Sequence, residues 1–463
     1  MVNRWLGFRF GRFLLAATLF VTISFSGASV AQAEEALCSS AAYRDLYACR
    51  EVIVKYLADF DPVGVSARYS LQLIGLIPQL TQAWFLAPIG TDYDALASSL
   101  RAEQGVFGVE HNSEFILPEC RQLNIPILDL GPRTGADLSR QSAMAAMRRP
   151  LSDALGTGVV VAVLDTGVSR RHPALAGALL PLGIDVLGHD PLADDVGDGI
   201  DENLNGVTDE GHGHGTAIAS LIHAVAPQAK LLPVRVIDDE CNGSAFALAS
   251  GIVRAVDAGA HILNLSLGAK EDNDAVESAL AYALARGVVV VAAAGNQLRP
   301  SAAPEDEIQF PASWDRSISV AAVTDVLEAT SFTLFDEHVQ LSAPGVELLT
   351  AWRDDSYARA SGTSFSTALV SGAAAVARQI EPSFTPAEIL SWMRQTALAV
   401  DPWNAPWLGG QLGAGVPDLT ALTALVERPR GSSGPLTRHA EDDTEVATTP
   451  TSGPGPVLST ESD

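Results

Sequence analysis

Between residues 140 and 427 the chain alternates apolar runs with helix-length stretches. The runs GVVVAVLD, AKLLPVRVID, HILNLSLG, GVVVVAAAG, SISVAAV and VQLSAPG mostly lack polar alternation. That is the pattern of strands buried on both faces of a parallel sheet. Between them, AFALASGIVRAVDAGA and NDAVESALAYALARG are long enough to cross back as helices. The alternation predicts an α/β domain, a doubly wound and mostly parallel sheet flanked by helices. Residues 34–125 read as a small α+β domain. REVIVKYL, QAWFLAPIG and VFGVEHNSEFIL are its expected strands. DYDALASSLRAEQG is a short helix that starts at Asp92 or Asp94 and stops at Gly105. Residues 126–139 are a linker or processing region. Residues 428–463 are rich in Gly, Pro, Ser, Thr and acidic side chains without apolar periodicity, the composition of a disordered tail.

The first 33 residues form a separate element. Arg4, Arg9 and Arg12 precede the apolar run FLLAATLFVTISF, and Ala31-Gln32-Ala33 closes the stretch. This is the layout of a secretory signal peptide cut after Ala33; the run is short of the roughly 20 residues a membrane span needs. The expected mature protein is exported, secreted or periplasmic, with no membrane attachment after cleavage, and monomeric. Export permits disulfides. The four cysteines, Cys38, Cys49, Cys120 and Cys241, allow three pairings. A bridge between Cys120 and Cys241 is one that would keep the N-terminal domain attached after a cut. The chain's 463 residues carry a net charge of −26, which argues against a nucleic-acid partner.

Parallel α/β sheets place their sites at the carboxyl ends of strands. Asp165 ends VVVAVLD, His214 opens HGTAIASLIHAVA, and Ser364 sits in SGTSFSTALVSGAAA, a glycine turn leading into another helix. An acid, an imidazole and a hydroxyl are the set that nucleophilic acyl transfer requires: the imidazole takes the serine proton and the carboxylate orients the ring. A serine at a helix start also meets a dipole that favours developing negative charge.

VAVLDTGV, HGTAIASLI and SGTSFSTALVSGAAA, in the order Asp, His, Ser, resemble the subtilisin-like serine proteases over about residues 140–425. The resemblance implies Asp165 as orienting acid, His214 as general base and Ser364 as nucleophile. It implies Asn296, in AAGNQ, as oxyanion donor, and Ser266, Leu267 and Gly268 as a strand that adds its backbone to an extended protein or peptide substrate. DDECNGSAFAL would face that strand across the cleft. No cofactor is implied for catalysis. Phe365 and Ala368 stand where the family usually has Met and Pro, which removes no catalytic group. Ala174, in HPAL, stands where many members carry an Asp associated with calcium. The resemblance also implies a prodomain in residues 34–125 that inhibits its own enzyme and is cut off between about Cys120 and Ser142. The expected function is therefore that of an exported, self-processing serine endopeptidase acting through an acyl-enzyme. A catalytically silent peptide-binding protein on the same fold and a narrow-specificity processing protease are the rivals.

His212 and His214 lie two residues apart in GHGHGT, directly after an acidic run. With His214 engaged as base, His212 is a loop residue without a role. The acidic run spaces Asp201, Asn203 and Asn205 alternately before Gly206, with Asp209 following, which suits a structural calcium ion on oxygen ligands. EF-hand spacing fails, because His212 occupies the place of the closing Glu.

Overall fold

The computed structural model describes residues 50–88, 90–120, 127–133, 137–188, 190–201, 205–297 and 308–424. The expected leader and tail, Cys38, Cys49 and Asn203 lie outside the described residues.

The N-terminal part runs β1 (Glu51–Tyr56), α1 (Pro62–Arg68), β2 (Gln72–Ile77), β3 (Gln82–Leu86), α2 (Tyr93–Arg101) and β4 (Val106–His111). The strands form an antiparallel sheet in the order β2-β3-β1-β4. Val52, Val54 and Phe85 from the sheet close on Val65, Leu96 and Leu100 from the helices, a core of its own. Asp92 caps α2, its carboxylate accepting the Ala95 N–H at 3.0 Å. β2 escaped the sequence reading because it is an edge strand with Ile74 and Leu76 left exposed, and Gly75 breaks its pattern. That glycine lets β2 pass over Phe246; a Cβ there would stand 2.8 Å from the ring.

The run expected as a single strand, VFGVEHNSEFIL, divides. β4 belongs to the N-terminal sheet, whereas β5 (Glu114–Ile116) pairs with a strand of the larger part. The break at Asn112 has a cause. Its side-chain oxygen accepts the Phe246 N–H at 2.8 Å, which turns the chain out of the first sheet.

The larger part follows as β6 (Leu128–Asp129), α3 (Ser142–Ala146), β7 (Val160–Asp165), β8 (Ile184–Asp185), α4 (His214–Val225), β9 (Lys230–Arg235) and β10 (Asn242–Ser244). It continues as α5 (Ala245–Asp257), β11 (Ile262–Leu265), α6 (Asp274–Leu284), β12 (Val289–Ala293), β13 (Ile318–Val323), β14 (Leu341–Pro344), β15 (Leu348–Ala351) and β16 (Tyr357–Ala360). The last helices are α7 (Thr363–Ile380), α8 (Pro386–Thr396) and α9 (Leu419–Ala424). Seven strands make one parallel sheet in the order β14-β13-β12-β11-β7-β9-β8. The chain builds outward from β7 first to one side and then to the other, so the strand order reverses there. The crevice beyond the ends of β7 and β11 is the place where such sheets bind ligands.

Helices α4 and α7 pack on each other, as do α5 and α6, and both pairs cover the sheet. α7 threads the core on small side chains. At the α4 crossing stands Gly372, where a Cβ would meet that of Val225 at 2.6 Å. The N-terminal part rests on the starts of α5 and α6. Besides Asn112 on Phe246, the Ser113 carbonyl accepts from Ala245 N–H, and Glu110 accepts from Asp274 N–H at 3.0 Å. These groups answer helix N–H donors that have no partner inside their own helix.

Candidate active site

Asp165 is the last residue of β7, His214 the first of α4, and Ser364 the second of α7; all three are buried. One carboxylate oxygen of Asp165 lies 2.8 Å from His214 Nδ1 and also accepts the Thr166 N–H at 2.8 Å. The ring is thereby fixed with Nε2 turned away from the acid. Glycines make the fit possible. Gly213 precedes α4 with φ of +101°. Gly215 follows His214 with no room for a Cβ, which would stand 2.1 Å from the Gly167 carbonyl oxygen.

α4 gets no cap from Gly213, which has no side chain. Asp195, from the acidic run, supplies one. Its carboxylate accepts from Gly213 N–H at 3.1 Å, Thr216 Oγ1 at 2.6 Å and Thr166 Oγ1 at 3.1 Å. Burial pushes the Asp195 carboxyl up, against the lowering pull of the Thr216 bond. The sequence reading missed this residue because its neighbours read as solvated loop.

A buried polar relay holds Ser364. Ser371 Oγ donates to Asn264 Oδ1, Asn264 Nδ2 donates to Ser266 Oγ, and Ser266 Oγ donates to the Ser364 carbonyl, each at 2.9 Å. Two turns of α7 are thus pinned to β11 and the residues after it. Asn296 is oriented as firmly, because its Oδ1 accepts both the Thr363 N–H and the Thr363 hydroxyl at 2.9 Å. Its amide nitrogen is left to point into the cleft.

A residue from the N-terminal part fills that cleft. Ser364 Oγ donates to Glu119 Oε2 at 2.7 Å, Asn296 Nδ2 donates to Glu119 Oε1 at 3.0 Å, and His214 Nε2 lies 3.3 Å from Oε2. Burial alone would lower the His214 pKa, but the charge and hydrogen bond of Asp165, with Glu119 added, push it up to about 10. The two carboxylates thus favour the charged form of the imidazole between them. Upstream of Glu119, β5 lies as a strand in the cleft. It pairs antiparallel with β10 on one side, and Ile116 exchanges both backbone hydrogen bonds with Gly268 on the other, at 3.1 and 3.0 Å. Phe115 is buried beneath it, edge-on to Phe310. Cys120, next after Glu119, is disulfide-bonded to Cys241. Nothing in the local sequence ILPEC marks Glu119; only the fold joins it to Ser364, across 245 residues.

The acidic loop rearranges the expected ligands. Asp201 accepts the Asn205 and Gly206 N–H groups, and Asn205 Oδ1 accepts the Val207 N–H, so these side chains close turns. Among the described residues the carboxylates gathered within 4.8 Å of one another are those of Asp198, Asp209 and Asp239. Three hard oxygen donors suit calcium. His212, partly exposed, takes no part in the cluster around Ser364.

A parallel sheet of this winding, with an acid, an imidazole and a serine meeting at its switch point, defines a serine endopeptidase of the subtilisin type. Residues 156–433 match the model of the subtilase family, Peptidase_S8, and the chain belongs to that family. It is 34% identical over 276 residues to Subtilisin Savinase of Lederbergia lenta, 58% of this chain and 92% of that protein. It is 32% identical over 269 residues to thermitase of Thermoactinomyces vulgaris, 56% and 88% of the two chains. Alkaline elastase YaB of Bacillus sp. (strain YaB) is 27% identical over 416 residues, 84% of this chain and 94% of that one. Among solved structures, fervidolysin from Fervidobacterium pennivorans, described as a keratinolytic enzyme related to subtilisin, matches with a TM-score of 0.65 at 22% identity. That match covers 81% of this chain and 60% of that one, a likeness of fold.

Proposed function

We propose that the chain is the precursor of an exported endopeptidase in which Ser364 attacks the peptide carbonyl, His214 Nε2 takes its proton, and Asp165 holds the imidazole through Nδ1. The bond from Asn296 Nδ2 then strengthens as negative charge develops on the carbonyl oxygen. His214 returns the proton to the leaving amine, and water hydrolyses the acyl-enzyme by the same route in reverse. Ser266 to Gly268 and β10 are the two edges between which an extended substrate adds its backbone. What carries this reading is the convergence of Ser364 Oγ, Asn296 Nδ2 and His214 Nε2 on one carboxylate, while His214 Nδ1 is held by Asp165.

Residues 34–125 are proposed as the prodomain and inhibitor, supported by β5 lying in the cleft. Export rests on the N-terminal run; among the described residues no helix is long and apolar enough to cross a membrane. A fluorophosphonate probe tests the assignment. The processed protein should label at one serine, and Ser364→Ala should abolish labelling and peptide hydrolysis together. Labelling that survives Ser364→Ala overturns it.

Calcium binding by the acidic loop is a second proposal, now centred on Asp198, Asp209 and Asp239. The hydrogen-bonded turns of Asp201 and Asn205 shape the loop beside them. A chelator should lower the melting temperature and added calcium restore it; no shift in either direction overturns the site.

A further inference from the structure

We propose that Glu119 is a resident inhibitor, its side-chain carboxylate standing where the oxyanion and the product carboxylate would form, and that the Cys120–Cys241 disulfide keeps it there after the backbone is cut, until a dithiol reductant opens that bond. The proposal rests on the protease reading of Ser364, His214 and Asn296 given above.

One carboxylate disables three functions. It accepts the Ser364 hydroxyl hydrogen bond that His214 Nε2 would have to accept in order to take that proton. It engages the Asn296 amide that would stabilise an oxyanion. It adds negative charge beside an imidazole that must be neutral to act as a base. The hollow it fills is made by Gly362, where a Cβ would stand 2.0 Å from Glu119 Oε1.

The segment enters as a substrate would, but what meets Ser364 Oγ and Asn296 Nδ2 is the Glu119 side chain. The extended run stops at Leu117, whose carbonyl accepts the Cys120 N–H at 3.1 Å to close a turn with Pro118 at its second position. Proline presets that corner. The turn brings Cys120 to Cys241, and the group held by the oxyanion donor Asn296 is a side-chain carboxylate.

The residue after Glu119 is bonded to Cys241, which directly precedes β10, the strand flanking the segment. A cut between residues 121 and 142 therefore leaves β5 and Glu119 covalently tied at the rim of their own site. Tethering of this kind holds a ligand at an effective concentration on the order of millimolar. Release takes two electrons and two protons from a dithiol. The S–S bond breaks, Cys120 and Cys241 become thiols, and the dithiol closes to its own disulfide.

The test uses the full chain, cut between residues 121 and 142 by an arginine-specific protease at the exposed Arg133 or Arg140. The rate of Ser364 labelling by a fluorophosphonate is then followed with and without dithiol. The cut wild type should label slowly and accelerate about 10²-fold on reduction, the lower end of what tethering confers. Glu119→Ala should label fast without dithiol, since the nucleophile and oxyanion donors are open to a small probe, while peptide hydrolysis stays low until reduction frees β5. Glu119→Gln, of the same size without the charge, should lie between. Cys120→Ser/Cys241→Ser should be dithiol-insensitive and fast once cut; if it does not fold, reduction of the folded wild type stands in for it. A cut, oxidised wild type that labels as fast as Glu119→Ala overturns the proposal and leaves the protease reading intact. Absence of labelling in every form, reduced or not, overturns both.

Discussion

Gly215→Ala is a small change at a place with no room for it. The added Cβ would lie 2.1 Å from the Gly167 carbonyl oxygen and 3.1 Å from both Cβ and Oδ1 of Asp165. All three neighbours are backbone, or side-chain atoms anchored to it, so no flexible tip can swing aside. Restoring a tolerable contact requires about 1 Å of movement, either of the Gly167 loop or of the start of α4. Those two pieces carry Asp165 and His214. Overpacking of this kind costs about 1–3 kcal/mol of stability. A misplacement of about 1 Å in a catalytic group costs on the order of 10²-fold in rate, about 2.7 kcal/mol on the barrier. The measurement is kcat/KM on a peptide substrate per labelled active site, with the melting temperature on the same preparation. The expected result is a hundredfold fall in turnover with the fold retained. A variant that keeps kcat/KM within about threefold of wild type would refute the claim that this contact sets the Asp165–His214 geometry.

Exchanging each histidine of GHGHGT separates base from bystander: His212→Ala should keep most activity, whereas His214→Ala should lose nearly all of it, read as kcat at saturating substrate. Asn296→Ala should lower kcat by about 10²–10³-fold with KM little changed, the size seen when an oxyanion donor is removed. For pH, His214 is raised from 6.5 to about 10 in the inhibited chain, despite the lowering effect of burial. The imidazolium–Glu119 attraction is therefore lost as pH rises through about 10. Asp165 stays beside the ring in both states, so the Glu119 share alone drives release. Probe labelling of the oxidised chain should accelerate toward pH 10, and Glu119→Gln should flatten that dependence.

The central sheet was legible because strands covered on both faces are written as unbroken apolar runs. The run ending at Asp165 lies where such reading puts it, at Val160–Asp165. Edge elements were not legible. β2 leaves Ile74 and Leu76 in water and carries a glycine for the sake of a neighbour 171 positions on, Phe246. The stretch 106–117 read as one strand because nothing in its polarity shows that Asn112 serves a helix start in another sheet's territory. Asp165, His214 and Ser364 stand out because each sits beside glycines at an element boundary. Asp195 and Glu119 do not. Asp195 is 5% exposed inside a run whose other described acids are exposed or half-buried, and Glu119 has its meaning only through groups far along the chain. Buried charge is set by what the fold brings to it, and local pattern carries no trace of that.

The relay from Ser371 through Asn264 and Ser266 to the Ser364 carbonyl constrains how this sequence can change. Each member gives a proton to the next, so replacing one by an apolar residue strands a buried partner at about 1–3 kcal/mol. Replacing Asn264 strands partners on both sides of it, Ser371 and Ser266. Substitutions there are coupled: a variant tolerated alone in another background fails here, and compensation must arrive at two or three positions together. Combinatorial libraries of this enzyme should therefore recover residues 264, 266 and 371 as a unit, linked across more than a hundred positions of chain.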